Sequence, residues 1–99
     1  MHEGHRQRLK GRFLNEGLDN FEDHQILELL LFFCIPRKDT NEIAHDLLER
    51  YGSLSAVFEA DAKDLMSVQG IGNNASLLLS LIPSISRAYF KDKWGNKPK

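Results

Sequence analysis

The longest apolar run in the chain, ILELLLFFCI at residues 26–35, restricts the fold more than any other segment. It is apolar on nearly every side of a helix, which is typical of a central helix surrounded by other elements. The run contains Glu28 and is too short to span a membrane, which takes ~20 apolar residues. Pro36 disfavours helical backbone at the residue before it, so we expect this helix to end near Ile35.

The remaining sequence repeats its apolar residues with helical spacing and shows no strand-like alternation. We therefore predict an all-α, compact domain of five or six helices. The predicted helices cover about 4–16, 22–35, 40–51, 54–60, 62–68 and 73–90. Pro83 lies inside the last of them and lacks the N–H that the carbonyl of Leu79 needs, which predicts a kink or a restart.

Residues with strong helix-boundary preferences set these limits. The expected starts are at Glu22 or Asp23, Asp39 or Thr40, Ser53, Asp61 and Asn73, and the expected stops are Gly17 and Gly52. The expected core-facing residues are Leu9, Phe13, Ile43, Ala44, Leu47, Leu48, Tyr51, Leu54, Val57, Phe58, Leu65, Val68, Ala75, Leu78, Leu79 and Ile82. The basic residues of the first helix, Arg6, Arg8, Lys10 and Arg12, are expected to point largely outward.

Composition limits the kind of protein. With 99 residues, 41% of them hydrophobic, the chain forms one modest core. We assign residues 1–90 to a single domain and 91–99 to a polar, frayed tail. The N-terminus lacks the apolar segment of a signal peptide, which favours a cytoplasmic protein. The single cysteine, Cys34, excludes an internal disulfide and is interpreted as a buried small hydrophobe.

The residues do not predict an enzyme, a metal site or a cofactor. His2 and His5 have the spacing of metal ligands, but no cysteine or carboxylate cluster completes a site. The sequence contains no nucleophile–base pair, and the Gly-x-Gly at residues 70–72 follows a helix, unlike a dinucleotide-binding loop. A binding module therefore remains the favoured class of protein.

Charge is distributed unevenly although the formal net charge is −1. Residues 1–12 sum to +3 and residues 87–99 to +4, whereas residues 13–86 sum to −8. Basic ends around an acidic body can attract a polyanion. They are equally consistent with solvated termini.

The stretch SVQGIGNNA, residues 67–75, carries the strongest functional signal. Glycine permits positive φ and close backbone approach, so Gly70-Ile71-Gly72 predicts a tight turn between two helices. Ile71 can anchor that turn to the core. The amides of Gly72, Asn73 and Asn74 open a helix, lack intrahelical acceptors and lie at the positive end of the helix dipole. A phosphate oxygen is a natural acceptor for such donors.

This stretch resembles the hairpin of a helix-hairpin-helix motif, with matches at Val68, Gly70, Ile71, Gly72 and Ala75. The segments GHRQRLKGRFL, LELLLFFCIPRKDT, AHDLLERYGSLSAVFEA and GIG, in this order, resemble the N-terminal region of the RadC family of bacterial proteins. The resemblance covers about residues 4–82. It implies tandem helix-hairpin-helix units similar to RuvA domain 2, the first of them degenerate and turning at IPRKDT. It also implies a companion JAMM-type metalloprotease-like domain, whose motifs this chain does not contain.

The hairpin departs from the family pattern because Asn73 and Asn74 stand where such motifs often have lysine or arginine. Most non-specific affinity for nucleic acid comes from cations, so this hairpin alone would bind weakly. Arg37 and Lys38 of the first turn could supply the missing charge, or Arg37 could pair with a nearby aspartate. Arg6 and Arg8 could add a basic ridge, or could pair with the acidic body.

Two function classes follow from these features. The first is a non-enzymatic module that contacts the DNA backbone independently of sequence within a RadC-like DNA repair protein. Its expected contacts are Gly70, Ile71, Gly72, Asn73, Asn74, Arg37, Lys38, Arg6 and Arg8. The second is a protein-interaction or structural module that docks on the companion domain or forms a homodimer, which the acidic middle favours.

Overall fold

A computed structural model describes residues 2–95, and all regular structure within that range is helical, as predicted. The six helices are α1 (His2–Glu16), α2 (Asp23–Leu31), α3 (Thr40–Tyr51), α4 (Leu54–Glu59), α5 (Ala62–Leu65) and α6 (Asn73–Trp94). None of the described helices is long and apolar enough to cross a membrane. The described part of the chain also holds no group of three or more metal-ligating side chains.

The main core forms around α2, as its apolar run predicts. Leu27 and Leu31 of α2 are fully buried against Leu47 of α3 and Leu79 of α6. A smaller cluster of Leu9, Phe21 and Phe32 attaches α1 to α2. Burial of such side chains stabilises the fold by ~1.5–3 kcal/mol each.

Most helix boundaries follow the local signals in the sequence. Asp39, Ser53 and Asp61 each accept a backbone N–H bond at the start of α3, α4 and α5 respectively. Glu22 forms a capping box with Gln25 at the start of α2. Gly52 ends α3 with a left-handed φ of 94°.

The prediction that the second helix reaches Ile35 is wrong. Helix α2 ends at Leu31, and the chain continues in tight turns in which the Phe33 N–H bonds to the Leu30 carbonyl. The carbonyls of Phe32 and Ile35 accept hydrogen bonds from Arg6, which satisfies them without further helical turns. Phe33 consequently points outward and is 71% exposed.

Helix α1 is rotated relative to the predicted orientation. Arg6, expected to point outward, is only 5% exposed, whereas Phe13, expected in the core, is 42% exposed. The guanidinium enters the interior because it meets unpaired carbonyls there and lies 4.7 Å over the Phe32 ring. Burial of a cation is tolerated when its N–H groups are bonded.

The last helix is longer than expected. It continues without interruption through Pro83, so the predicted restart is wrong. It also extends to Trp94, and the boundary expected at Lys91 therefore falls inside α6. Residues 96–99 of the expected tail lie outside the described residues. Ala75 and Leu79 form the buried face, while Leu78 and Ile82 are partly buried.

Candidate nucleic-acid interface

The turn between α5 and α6 has the form that its glycines predict. Gly70 adopts a φ of 97°, and the Ile71 N–H donates to the Val68 carbonyl at 3.0 Å. Val68 and Ile71 are both buried. The isoleucine between the glycines therefore anchors the turn to the core, as expected.

Gly70 also has a packing role. A Cβ placed there would lie 2.6 Å from Cδ1 of Ile43, a buried residue of α3. No other residue type fits both this contact and the positive φ. The close approach holds the second turn against α3, the helix that follows the first loop.

Gly72 is the N-cap of α6 and supplies no side-chain cap. The first intrahelical bond joins the Ser76 N–H to the Gly72 carbonyl, so the amides before Ser76 have no acceptor within the helix. The side chains of Asn73 and Asn74 are exposed. A group of backbone donors thus faces solvent at the positive end of a 22-residue helix.

The first loop lies beside this helix start. Arg37 and Lys38 share a concavity of about 530 Å³ with Gly72, Asn73 and Asn74. Both basic side chains are exposed, and the described residues provide neither with an ion pair. The alternative in which Arg37 pairs with an aspartate is therefore not observed. The two loops are thus adjacent, as they must be if Arg37 and Lys38 are to supply the charge that the second hairpin lacks.

Arg6 shapes this concavity from behind. Its guanidinium donates to the carbonyls of Phe32 at 3.3 Å, Ile35 at 2.5 Å and Lys38 at 3.0 Å. It is consequently a positioning residue for the first loop. Arg8 is exposed on α1 but does not line the concavity. Of the other basic residues of α1, Arg12 donates to the Asn20 carbonyl at 2.8 Å, so Arg6 and Arg12 are both engaged while Arg8 remains exposed.

The two acidic residues that precede the hairpin most closely in the sequence, Asp61 and Asp64, have other partners. Asp61 caps α5. Asp64 accepts hydrogen bonds from the Tyr51 hydroxyl at 2.5 Å and from Arg50 at 3.2 Å. The bond from Tyr51, reinforced by the nearby Arg50 charge, lowers the pKa of Asp64 below its usual range. Neither carboxylate lines the 530 Å³ concavity.

Other carboxylates lie closer to the site. Asp39, Glu42 and Asp46 border a second, smaller concavity of about 290 Å³ that shares Lys38 and Gly70 with the first. Their charge opposes that of the two basic side chains across a short distance. The concavity is therefore less positive than Arg37 and Lys38 alone would make it.

Two features of the site were missed by sequence reasoning. Cys34, interpreted as buried, is partly exposed, lines the concavity and lies with its Sγ 3.7 Å from the Asn74 carbonyl. The inward turn of Arg6 was missed because its acceptors lie 26 to 32 residues away in the sequence. The one local signal was Pro36, because a helix that ends before it leaves its last carbonyls without intrahelical donors.

These features describe a small all-helical domain in which a basic loop and an uncapped helix start share one concave face. The family described as UPF0758 N-terminal matches residues 3–77, and the chain belongs to this family, which is the RadC-like family. A UPF0758 protein of Fusobacterium nucleatum subsp. nucleatum is 43% identical over 95 residues, which cover 96% of this chain. The chain spans 41% of the length of that relative. No solved structure matches this chain.

Proposed function

We propose that this domain binds the phosphate backbone of DNA without reading base sequence, as a non-enzymatic module of a bacterial, cytoplasmic RadC-like protein. The observation that carries the proposal is the shared concavity of Arg37 and Lys38 with the open amides at the start of α6. Two hairpins side by side, turning at residues 36–38 and 70–72, would form the tandem helix-hairpin-helix arrangement that the resemblance implies.

The chemistry of this face suits a phosphate group. The amides of Gly72, Asn73 and Asn74 offer directed hydrogen bonds, and Arg37 and Lys38 add charge that displaces counterions. Phosphate contacts of this kind fix the position of a protein on nucleic acid but carry no sequence information. With few cations and three neighbouring carboxylates, the expected affinity is low and strongly dependent on salt.

A second candidate function is protein interaction, and the carboxylates at Asp39, Glu42 and Asp46 favour it. In this alternative the domain docks on the remainder of a longer UPF0758 polypeptide, for which the resemblance implies a JAMM-type domain. The same concavity would then receive an acidic or neutral protein loop. If the carboxylates exclude DNA from this concavity, a DNA titration will show no binding, and this result distinguishes the second function from the first.

The test is a fluorescence anisotropy titration of labelled duplex, branched and single-stranded DNA at low salt. Gly72→Asp places a carboxylate at the proposed phosphate position, where a Cβ meets no atom within 4 Å. Aspartate is also a favoured N-cap, so the fold is retained. We expect at least tenfold weaker binding, by ~1.4 kcal/mol or more.

Ser55→Asp is the matched control, because it adds the same charge at an exposed position in α4 away from the concavity. It should leave the affinity nearly unchanged, and Asp64→Asn should likewise have less effect than Gly72→Asp. Equal weakening by Gly72→Asp and Ser55→Asp would mean that only overall charge matters. Absence of binding to all three DNA forms at low salt would refute the proposal.

A further inference from the structure

A further concave surface, distinct from the 530 Å³ and 290 Å³ concavities, is almost wholly apolar. This groove, which we call the apolar groove, has a volume of about 650 Å³. It is lined mainly by hydrophobic residues of α1, α2, α4, α6 and the turns that follow α1 and α2, among them Phe13, Leu14, Leu18, Phe33, Phe58 and Ile82. Leu14 is 80% exposed there. Exposed apolar concavities are one kind of surface at which proteins bind other molecules.

The C-terminal half of α6 carries a second unpartnered apolar surface. Every residue from Ser84 to Trp94 is exposed, and the helix extends ~18 Å from Ile82 to Trp94 at 1.5 Å per residue. Ile85, Tyr89, Phe90 and Trp94 lie in this segment. The Phe90 and Trp94 rings stack with their centroids 5.1 Å apart, which gives the helix end a bulky aromatic surface.

The groove and the helix end are adjacent but do not cover one another. Ile82 lines the groove, and α6 then leads away from it. The groove is concave and the helix end is convex, and both are apolar. Among the described residues, the aromatic end of α6 is therefore left exposed.

Charge favours a second copy of this chain as that molecule. Residues 87–95 carry a net charge of +2 from Arg87, Lys91 and Lys93 against Asp92, whereas residues 13–86 carry −8. The basic helix end of one copy is thus attracted to the acidic body of another, while the groove itself contributes one charged lining residue, Lys10. A self-complementary pair of surfaces on one chain is what a two-fold symmetric dimer requires.

We propose that the apolar groove binds the C-terminal half of α6 from a second copy, so that two chains exchange helix ends in a symmetric dimer. Phe90 and Trp94 of one chain cover Phe13, Leu14 and Phe33 of the other. The groove shares no lining residue with the 530 Å³ concavity. The proposed dimer contact therefore uses a different surface from the proposed phosphate site.

The first measurement is the mass of the 99-residue chain by sedimentation equilibrium over a range of concentrations. We expect twice the monomer mass of 11.3 kDa at high concentration. Trp94 is the only tryptophan and is 66% exposed in one copy, so its emission should shift to shorter wavelength as the dimer forms. A chain that stays monomeric at millimolar concentration overturns the proposal. The same monomeric result is expected if another part of a longer polypeptide occupies the groove.

Variants then locate the interface. Phe33→Glu in the groove and Phe90→Lys in α6 should each raise the dissociation constant roughly tenfold or more, as expected for buried aromatic anchors. Leu77→Glu is the control, because Leu77 is an exposed leucine of α6 that lines no part of the groove. Leu14→Glu replaces Phe33→Glu if circular dichroism shows that the latter does not fold.

An equimolar mixture of Phe33→Glu and Phe90→Lys chains provides the sharpest outcome. In the mixed dimer, the unaltered groove of the Phe90→Lys chain receives the unaltered helix end of the Phe33→Glu chain. In the other contact, the substituted glutamate and lysine meet, and their charges are opposite. We expect the mixture to recover the dimer mass that each variant lacks alone. A dimer that both variants leave intact, or that Leu77→Glu weakens equally, would place the interface elsewhere and overturn the proposal.

Discussion

The guanidinium of Arg6, in α1, donates a hydrogen bond of 3.0 Å to the main-chain carbonyl of Lys38, in the loop that leads into α3. The same group bonds the carbonyl of Ile35. A buried cation thus fixes the backbone of the loop whose exposed cations are the proposed phosphate contacts. Several expected outcomes depend on this link between the interior and the site.

Replacement of Arg6 by glutamine should destabilise the domain by ~2–3 kcal/mol, because buried carbonyls lose charged donors. The measurement is urea unfolding followed by circular dichroism. Arg8→Gln removes the same charge from an exposed position in the same helix and should change stability by less than ~0.5 kcal/mol. Equal effects of the two substitutions would contradict the positioning role of Arg6.

The two glycines of the second hairpin should respond differently to substitution. Gly70→Ala forces a side chain into a positive φ and against Ile43, and should cost ~1–3 kcal/mol in the free energy of unfolding. The serine side chain of Gly72→Ser meets open space and caps α6, so this variant should stabilise the domain by about a few tenths of a kcal/mol. Thermal and urea unfolding of both variants measures the two changes in stability. Similar losses of stability in the two variants would show that the turn does not have the described shape.

Salt dependence should report the contribution of the first loop to DNA binding. Each cation that contacts a phosphate contributes ~0.9 to the slope of log affinity against log salt concentration. Replacing Arg37 and Lys38 by glutamine should therefore reduce the slope by up to ~2. Lys63→Gln, in α5 and outside the concavity, is the control and should leave the slope unchanged. An unaltered slope in the double variant would exclude the loop from the interface.

The buried carboxylate of Glu28 should be a measurable source of stability. Its oxygens lie 2.8 Å from His5 Nε2 and 2.8 Å from Asn41 Nδ2, so it connects α1, α2 and α3. Asn41→Ala leaves one oxygen without this donor and should cost ~1–3 kcal/mol. Gln69→Ala, which removes an exposed amide, should cost little in the same urea titration. Indistinguishable midpoints would show that the Asn41 bond contributes nothing.

Acid should remove one specific contribution to stability. Because the pKa of Asp64 is lower when folded, its contribution is fully present above the unfolded value of ~3.9 and is lost as pH falls through the folded value. Tyr51→Phe removes the hydroxyl whose hydrogen bond is the main cause of the lowered pKa, so the pKa of Asp64 should rise toward its ordinary value. Carboxyl carbon NMR titration measures this directly. Tyr89→Phe, the same substitution in α6, should leave that pKa where it was.

Local sequence signals predicted much of the fold. Asp39, Ser53 and Asp61 act within one helical turn, so the starts of their helices follow from short-range chemistry. Non-local contacts were harder to foresee. Arg6 turns inward because of carbonyls far along the chain, and Phe33 turns outward because those carbonyls end α2 early. The second loop was predicted from its glycines, but its position beside Arg37 and Lys38 was implied only by the family resemblance.

The start of α6 has a consequence for the history of the sequence. Asp39, Ser53 and Asp61 show that this chain uses side-chain caps readily, yet its longest helix begins at a bare Gly72. Selection for thermal resistance alone would place serine or aspartate there, since the space is open. A directed-evolution experiment that rewarded only heat tolerance would therefore be expected to alter residue 72 early. A glycine at that position among natural relatives would then indicate a requirement of ligand binding that outweighs the stability a cap would add.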